Sequence, residues 1–338
     1  MNRSPLILRP GLGWQERYLG GSEAAEAAFI EEAMLDIQEV QRRNRKKAGV
    51  DAFARAFHAK ILAGITNAEF HVQSGIDRDL ATGYLVPGAS YETGVRFSNA
   101  SGVIQPDTKN DLRGIALDIA TKFGAQHYLA TNGKASHARD AKQFIAFALA
   151  MSGSKFLILP RLIHNVGLFE TVRMFRTVIG QVKRPITSLT TESYFSRSGY
   201  AFGDLAARWQ ISPNSSASAN VARGDHWLTE DLAVRLALAD VIFDFQVQYF
   251  ESEETTPIED GSVEWHTPLT TIAKVYIPKQ DLLGDEGRAA LELIEKREFN
   301  PWTTTVGFRP LGSLNRARRL VYKASQALRN QGRELPRR

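Results

Sequence analysis

The sequence contains no cysteine and only four methionines among its 338 residues. Without thiols there can be no disulfide, no thiolate ligation of iron and no Cys-based zinc site, which leaves histidine, tyrosine and carboxylates as metal ligands. A cysteine-free chain fits a reducing compartment, and a cytoplasmic location is expected. No run approaches the ~18 apolar residues of a membrane span; the greasiest stretch is FLILPRLI at 156–163. The opening MNRSPLILRPGLGW lacks an apolar core of signal-peptide length, so a soluble protein is expected. Charge of one sign is also scarce. Lys and Arg total 42 against 37 acids, a net charge of +5, and much of that excess sits at RARR (316–319) and RELPRR (333–338). Those bases have no interleaved aromatic platform and no recognisable binding motif, so no nucleic-acid partner is expected.

A hydrophobic content of 43% over this length is enough for one large core. Residues 1–20, with Pro5, Pro10 and several glycines, read as an irregular arm packing across a neighbouring subunit. From Ser22 to Val50 acids come early, bases late and Gly49 last, as a helix dipole prefers. Alternating segments at 68–73, 91–98, 114–121, 125–131, 205–212, 241–250 and 270–277 are separated by turn residues and read as antiparallel strands. Helical periodicity covers 140–151, much of 155–182, 229–239, 285–297 and 313–331. The fold class expected is α+β: a closed eight-stranded antiparallel β-barrel with surrounding helices. The chain divides into an arm and helix (1–50), a barrel domain (51–331) and a basic tail (332–338).

Four stretches carry chemistry. RAFHAK at 55–60 places Arg55 three residues before His58, a side chain that titrates near neutrality and can act as acid or base. In VRFSNASGVIQPDTKNDLRGIALDI (95–119), Arg96 and Ser98 alternate along a strand and so face one side, and Asp111 follows in a turn. LATNGKASHARDAKQF (129–144) ends a strand at Asn132 and offers Phe144. RARRLVYKASQALR (316–329) is helical, with Arg318 one turn before Tyr322 and Arg329 two turns beyond it. A tyrosine ligates ferric haem as phenolate, so its ordinary pKa of about 10 must fall, and a guanidinium one turn away favours that anion.

In this order, the four stretches resemble the catalase family, in particular its short catalase-related haem peroxidases. The resemblance covers about residues 50–331. It implies haem b, with His58 as distal histidine, Ser98 fixing its ring, Asn132 as distal asparagine and Tyr322 as the iron ligand. Arg55, Arg96 and Arg329 would meet the propionates, Arg318 would support Tyr322, Phe57 and Phe144 would flank the haem, and Asp111 would lie in the channel. The implied chemistry is cleavage of the O–O bond of hydrogen peroxide or an organic hydroperoxide through a ferryl species, with a small organic reductant as second partner. The family's tetramers with exchanged arms imply a homo-oligomer, a dimer or more.

The departures are specific. Phe57 stands where the catalases have valine and the related allene oxide synthases threonine, the glycine after HAK is absent, and so is the phenylalanine pair after Asn132. The chain stops soon after the proximal helix, so no C-terminal helical domain and no NADPH site are expected. A phenyl ring beside His58 would narrow the space for the second peroxide that dismutation needs. Phe57 and the apolar segment 155–165 keep a second activity open: a hydroperoxide isomerase, allene oxide synthase-like or epoxy alcohol-forming, acting on a lipid or metabolite. A haem carrier or sensor is the non-enzymatic alternative, and it has no need of a distal His and Asn pair.

Overall fold

Alternation in the β-prone segments becomes nine strands, β1 Ile61–Val72, β2 Ser90–Asn99, β3 Arg113–Thr121, β4 Gly124–Thr131, β5 Tyr194–Phe195, β6 Tyr200–Phe202, β7 Leu205–Ser215, β8 Val241–Tyr249 and β9 Leu269–Ile277. The computed structural model describes residues 10–50 and 53–331, so the first nine residues of the arm and the basic tail at 332–338 lie outside the described residues. Eight strands form one antiparallel ring in the order β5-β4-β3-β2-β1-β9-β8-β7, closed where β5 pairs with β7, and β6 is a short hairpin arm on β7. The expected closed barrel is therefore present. Closure rests on very little chain: Thr131 pairs with Phe195, and Tyr194 and Phe195 pair with Ile211 and Gln210. Strands of two and three residues have too little alternation to be read from sequence, and both β5 and β6 escaped it.

The pleat sends Val95 and Phe97 of β2, Ile115 and Leu117 of β3, and Tyr128 of β4 into the barrel, where all are buried in the main core. Rings fill it. Trp209 stacks on Phe245 with centroids 5.3 Å apart, and Phe245 also meets Phe70 at 5.2 Å and Tyr128 at 5.0 Å. The interior is thus a packed plug, and the alternate residues of the same strands, Arg96, Ser98 and Gly114 among them, face outward.

Helices cover that outer face. α1 (Glu23–Ala48) starts at Ser22, whose hydroxyl accepts from the N–H of Ala25, and ends at Gly49 with three bases in its last turn. α2 (Ala141–Ser152) is capped by Asp140, whose carboxylate accepts from the N–H of Gln143. α1 and α2 pack with α7 (Ser313–Gln331) into one layer. α3 (Ile158–Val166) and α4 (Leu168–Val182) lie outside α2, α5 (Trp227–Leu238) caps the barrel, and α6 (Asp285–Lys296) lies on β1. That last approach needs Gly64, where a Cβ would sit 2.9 Å from the Cα of Leu291.

The described part of the arm packs on its own chain. The N–H of Gly11 donates to the carbonyl of Phe250, the N–H of Ala206 donates to the carbonyl of Gly11, and the Trp14 indole donates to the carbonyl of Asp204. Arg316 of α7 gathers the carboxylates of Glu16, Glu26 and Glu259, which locks arm, α1 and the loop after β8 to the last helix. Networks of this kind hold better than isolated surface pairs.

Phe245→Ala should cost about 3–5 kcal/mol of unfolding free energy, because the plug around it cannot collapse. Leu293→Ala, at a residue 55% exposed, should cost less than about 0.5 kcal/mol. Urea unfolding of the two variants checks this, and equal losses would mean that the interior is not close-packed.

Candidate active site

His58 leaves the chain just before β1 in an unusual posture, with φ +57. The left-handed backbone is costly for a residue with a Cβ and persists only where its surroundings fix it. Here they do. The N–H of His58 donates to the carbonyl of Ala100, that of Ala59 to Ser101, and that of Asn99 to Lys60. Lys60 is buried and pairs with buried Asp107 at 2.8 Å, and Asp107 also accepts from Asn99. The segment is therefore pinned on both sides of the histidine.

The ring of His58 lies on the outer face of the barrel. Ser98, Gly114 and Thr131 form one row across β2, β3 and β4. Ser98 Oγ is 2.9 Å from His58 Nδ1. Gly114 provides the space, since a Cβ there would stand 2.5 Å from His58 Cε1 and 2.6 Å from Nδ1. One residue past the row, Asn132 accepts from the N–H of Arg113 through Oδ1 and donates from Nδ2 to the buried carboxylate of Glu192. Asp111 accepts from the N–H of Ser101 and from Gln105, and burial raises its pKa.

The opposite wall is α7. Arg318 donates to the Tyr322 hydroxyl at 2.9 Å and to Asn315 Oδ1 at 3.0 Å, so the guanidinium is aimed at the phenol as the spacing suggested. Phe57 and Phe144 meet edge to face at 5.6 Å in a cluster with Ile37, Val40 and Val321. The Phe57 ring is thus packed among α1, α2 and α7.

His58, Phe57, Phe144, Arg318 and Tyr322 all retain accessible surface, yet burial pushes the His58 pKa down to about 3, helped by the charges of Arg96, Arg197, Arg318 and Arg55. His58 and Arg318, desolvated yet still exposing surface, border one recess between the barrel wall and α7. Two residues not singled out in the sequence also belong to it. Arg197 has φ +59, and burial and the charge of Arg318 lower its pKa to about 10. His137 packs on Phe144 and Phe147, its Nε2 has no partner among the described residues, and burial, with Arg197 and Arg173, pushes its pKa to about 3. No local pattern marks either.

Neither Arg197 nor Arg318 has a carboxylate within ion-pair distance among the described residues. A recess bordered by two cations without an ion-pair partner among the described residues, by aromatic rings and by a phenol would suit a flat, apolar, anionic group such as haem. Of the three arginines expected at the propionates, Arg55 and Arg96 converge on a protein carboxylate, and Arg329 lies near Arg96. Glu295 of α6 accepts from Arg55 and, at 3.1–3.2 Å, from Arg96, whose charge Arg329 lies near enough to disfavour. Arg96 also donates to the carbonyl of His58, so the same guanidinium ties α6 to the histidine.

The fold is that of the catalases. It superposes on a fungal catalase with TM-score 0.59 at 15% identity, covering 82% of this chain and 59% of that one, and on catalase A from Saccharomyces cerevisiae with TM-score 0.59 at 16%, covering 82% and 61%. A bacterial catalase gives 0.60 at 18%, covering 97% and 69%. This chain thus spans about three-fifths of the length of the fungal and yeast enzymes. In sequence it is similar to the catalase-related peroxidase of Mycolicibacterium paratuberculosis, at 27% identity over 263 residues, 72% of this chain and 79% of that protein. No family model matches. Sequence and fold together support a catalase-family protein.

Gly114→Ala should displace the His58 ring and cost about 1–3 kcal/mol, the usual range for overpacking. The ring-nitrogen resonances of His58 should lose the signature of the Ser98 bond, and unchanged resonances would place the ring elsewhere. A second expectation concerns pH. Below the ordinary histidine pKa of about 6.5 the unfolded chain takes up protons that His58 and His137 refuse in the fold, so stability is complete above that pH and falls as pH drops. Each histidine contributes a slope of up to about 1.4 kcal/mol per pH unit. His137→Gln should remove its share between pH 6 and 4 in urea titrations, and identical slopes for variant and wild type would contradict it.

Proposed function

We propose that the protein is a haem-dependent hydroperoxidase that cleaves the O–O bond of hydrogen peroxide or an organic hydroperoxide. One observation carries this reading: a Ser98-oriented, desolvated His58 on the barrel wall faces the same cationic cavity as an Arg318-supported Tyr322 on α7. Tyr322 would hold the iron, with Arg55, Arg96 and Arg329 toward the propionates and Phe144 against the ring. Bound haem supplies an iron centre able to accept oxidising equivalents from a peroxide. In this reading residues 51–331 act as one haem-binding domain, to which 1–50 adds a covering layer.

The remaining work falls to this chain's own groups. With Nδ1–H donating to Ser98, His58 presents a bare Nε2, which takes the proton from the inner peroxide oxygen and returns it to the outer one. Its low pKa keeps that nitrogen unprotonated across the physiological range. Asn132 gives one amide hydrogen to Glu192 and has the other for the peroxide. A hydroperoxide isomerase is the second reading, and the edge-to-face Phe57–Phe144 pair supports it by giving the cavity an apolar wall suited to an acyl chain.

Tyr322→Phe should lose the high-spin phenolate spectrum of the haem-loaded protein, and full retention would remove Tyr322 as ligand. His58→Ala should keep haem and slow the reaction with peroxide by roughly a hundredfold to ten-thousandfold. Product analysis with hydrogen peroxide beside a fatty-acid hydroperoxide separates the two readings: an alcohol formed only with consumption of a reductant marks a hydroperoxidase, whereas an allene oxide or epoxy alcohol formed without any reductant marks an isomerase.

A further inference from the structure

α3 and α4 bury almost nothing of their apolar sides. Leu162 is the one buried residue of α3, and Thr171 and Met174 are the two of α4. Phe156 is 92% exposed and Phe169 89%, and Leu159, Ile163, Leu168 and Val172 range from 41% to 55%. The pairs 159/163 and 168/172 are each one turn apart, so every helix carries an outward apolar stripe. Between residues 152 and 184 there are six bases and a single acid. Lys155, Arg161, Arg176 and Lys183 are exposed, and the acid, Glu170, is held by Arg139 and Arg173.

Apolar surface along two consecutive helices calls for a partner. A second copy is poorly suited, because a two-fold interface sets each patch against itself and would bring bases against bases. A surface apolar within and negative at its rim fits both the stripes and the charge, and an anionic bilayer is such a surface. No described helix is long and apolar enough to cross a membrane, so the helices would lie in the interface.

We propose that α3 and α4 dock the protein on anionic lipid surfaces, with Phe156 and Phe169 entering the acyl boundary and the surrounding bases meeting the headgroups. The inner side of this layer leads to the cavity: Phe175 of α4 packs on Phe147 of α2, whose ring lies 4.3 Å from that of His137. Docking and site therefore occupy two sides of one helical layer, which deepens the reading above by naming acyl hydroperoxides as the substrate class. The docking itself does not depend on haem.

Flotation of the full-length protein with phosphatidylcholine vesicles, with and without phosphatidylglycerol, tests it. Binding should require the anionic lipid and weaken in high salt. The double variant Phe156→Ser, Phe169→Ser alters only exposed side chains, so its circular dichroism and unfolding should match the wild type while vesicle affinity falls at least about tenfold. Lys155→Glu with Arg176→Glu should erase the preference for anionic lipid. Absence of wild-type binding to anionic vesicles overturns the proposal. So does a double variant that binds vesicles as before, or a wild-type oligomer that the serine pair converts to monomer in light scattering without any change at vesicles. A vesicle-binding protein that takes up no haem would leave docking standing and sink the haem reading alone.

Discussion

The aromatic plug is the constraint from which the rest follows. Trp209, Phe245, Tyr128 and Phe70 fill the barrel so completely that its interior cannot host a ligand, and the chemistry is displaced to the outward-facing residues of β2, β3 and β4. An outer barrel face is flat and wet unless something covers it. α1, α2 and α7 supply the cover, and the cavity is the gap between pleated wall and helical lid. His58 reaches that gap only through a left-handed backbone turn and a strand position with no side chain, so the histidine is set by Gly114 and Ser98 as much as by its own residue.

Electrostatics divides the arginines into two groups. Arg96 and Arg55 share the single carboxylate of Glu295, and the first also braces the carbonyl of His58. Arg197 and Arg318 have no such carboxylate among the described residues; the charge of Arg197 lowers the basicity of both buried histidines, and that of Arg318 lowers the basicity of His58. Positive charge held near a neutral base and a phenol favours any anion formed there over its protonated form. Glu295 couples α6 to the site, because α6 cannot shift on β1 without moving the guanidinium that braces the carbonyl of His58.

Much of this was legible in the residues. Arg-x-x-x-Tyr on a helix fixes the distance between Arg318 and Tyr322 whatever surrounds it, and alternation along VRFS fixes that Arg96 and Ser98 share a face. Apart from β1, expected from residue 68 but starting at Ile61, the strands and helices with full periods emerged within a few residues of their expected limits. What could not be read depends on partners distant in sequence. Glu295 is an ordinary helical glutamate until it meets Arg96, 199 residues away, and Gly114 resembles any strand glycine until His58 lies on it. Arg197 and His137 gain their character from burial and from charges distant in sequence, and the arm's attachment to its own chain rests on partners up to 300 residues away.

Arg316 joins Glu16 across 300 residues, Glu26 across 290 and Glu259 across 57. During synthesis the three glutamates appear before the arginine that gathers them, so the clamp cannot form until α7 emerges. The barrel can close on its hydrophobic plug while its outer layer stays loose. Tyr322 stands on the same helix as Arg316, less than two turns further on, so the clamp that draws the layer together also delivers the second wall of the cavity. The site therefore cannot be complete without α7, and a chain lacking that helix would keep the plugged barrel while His58 lost the second wall of its site.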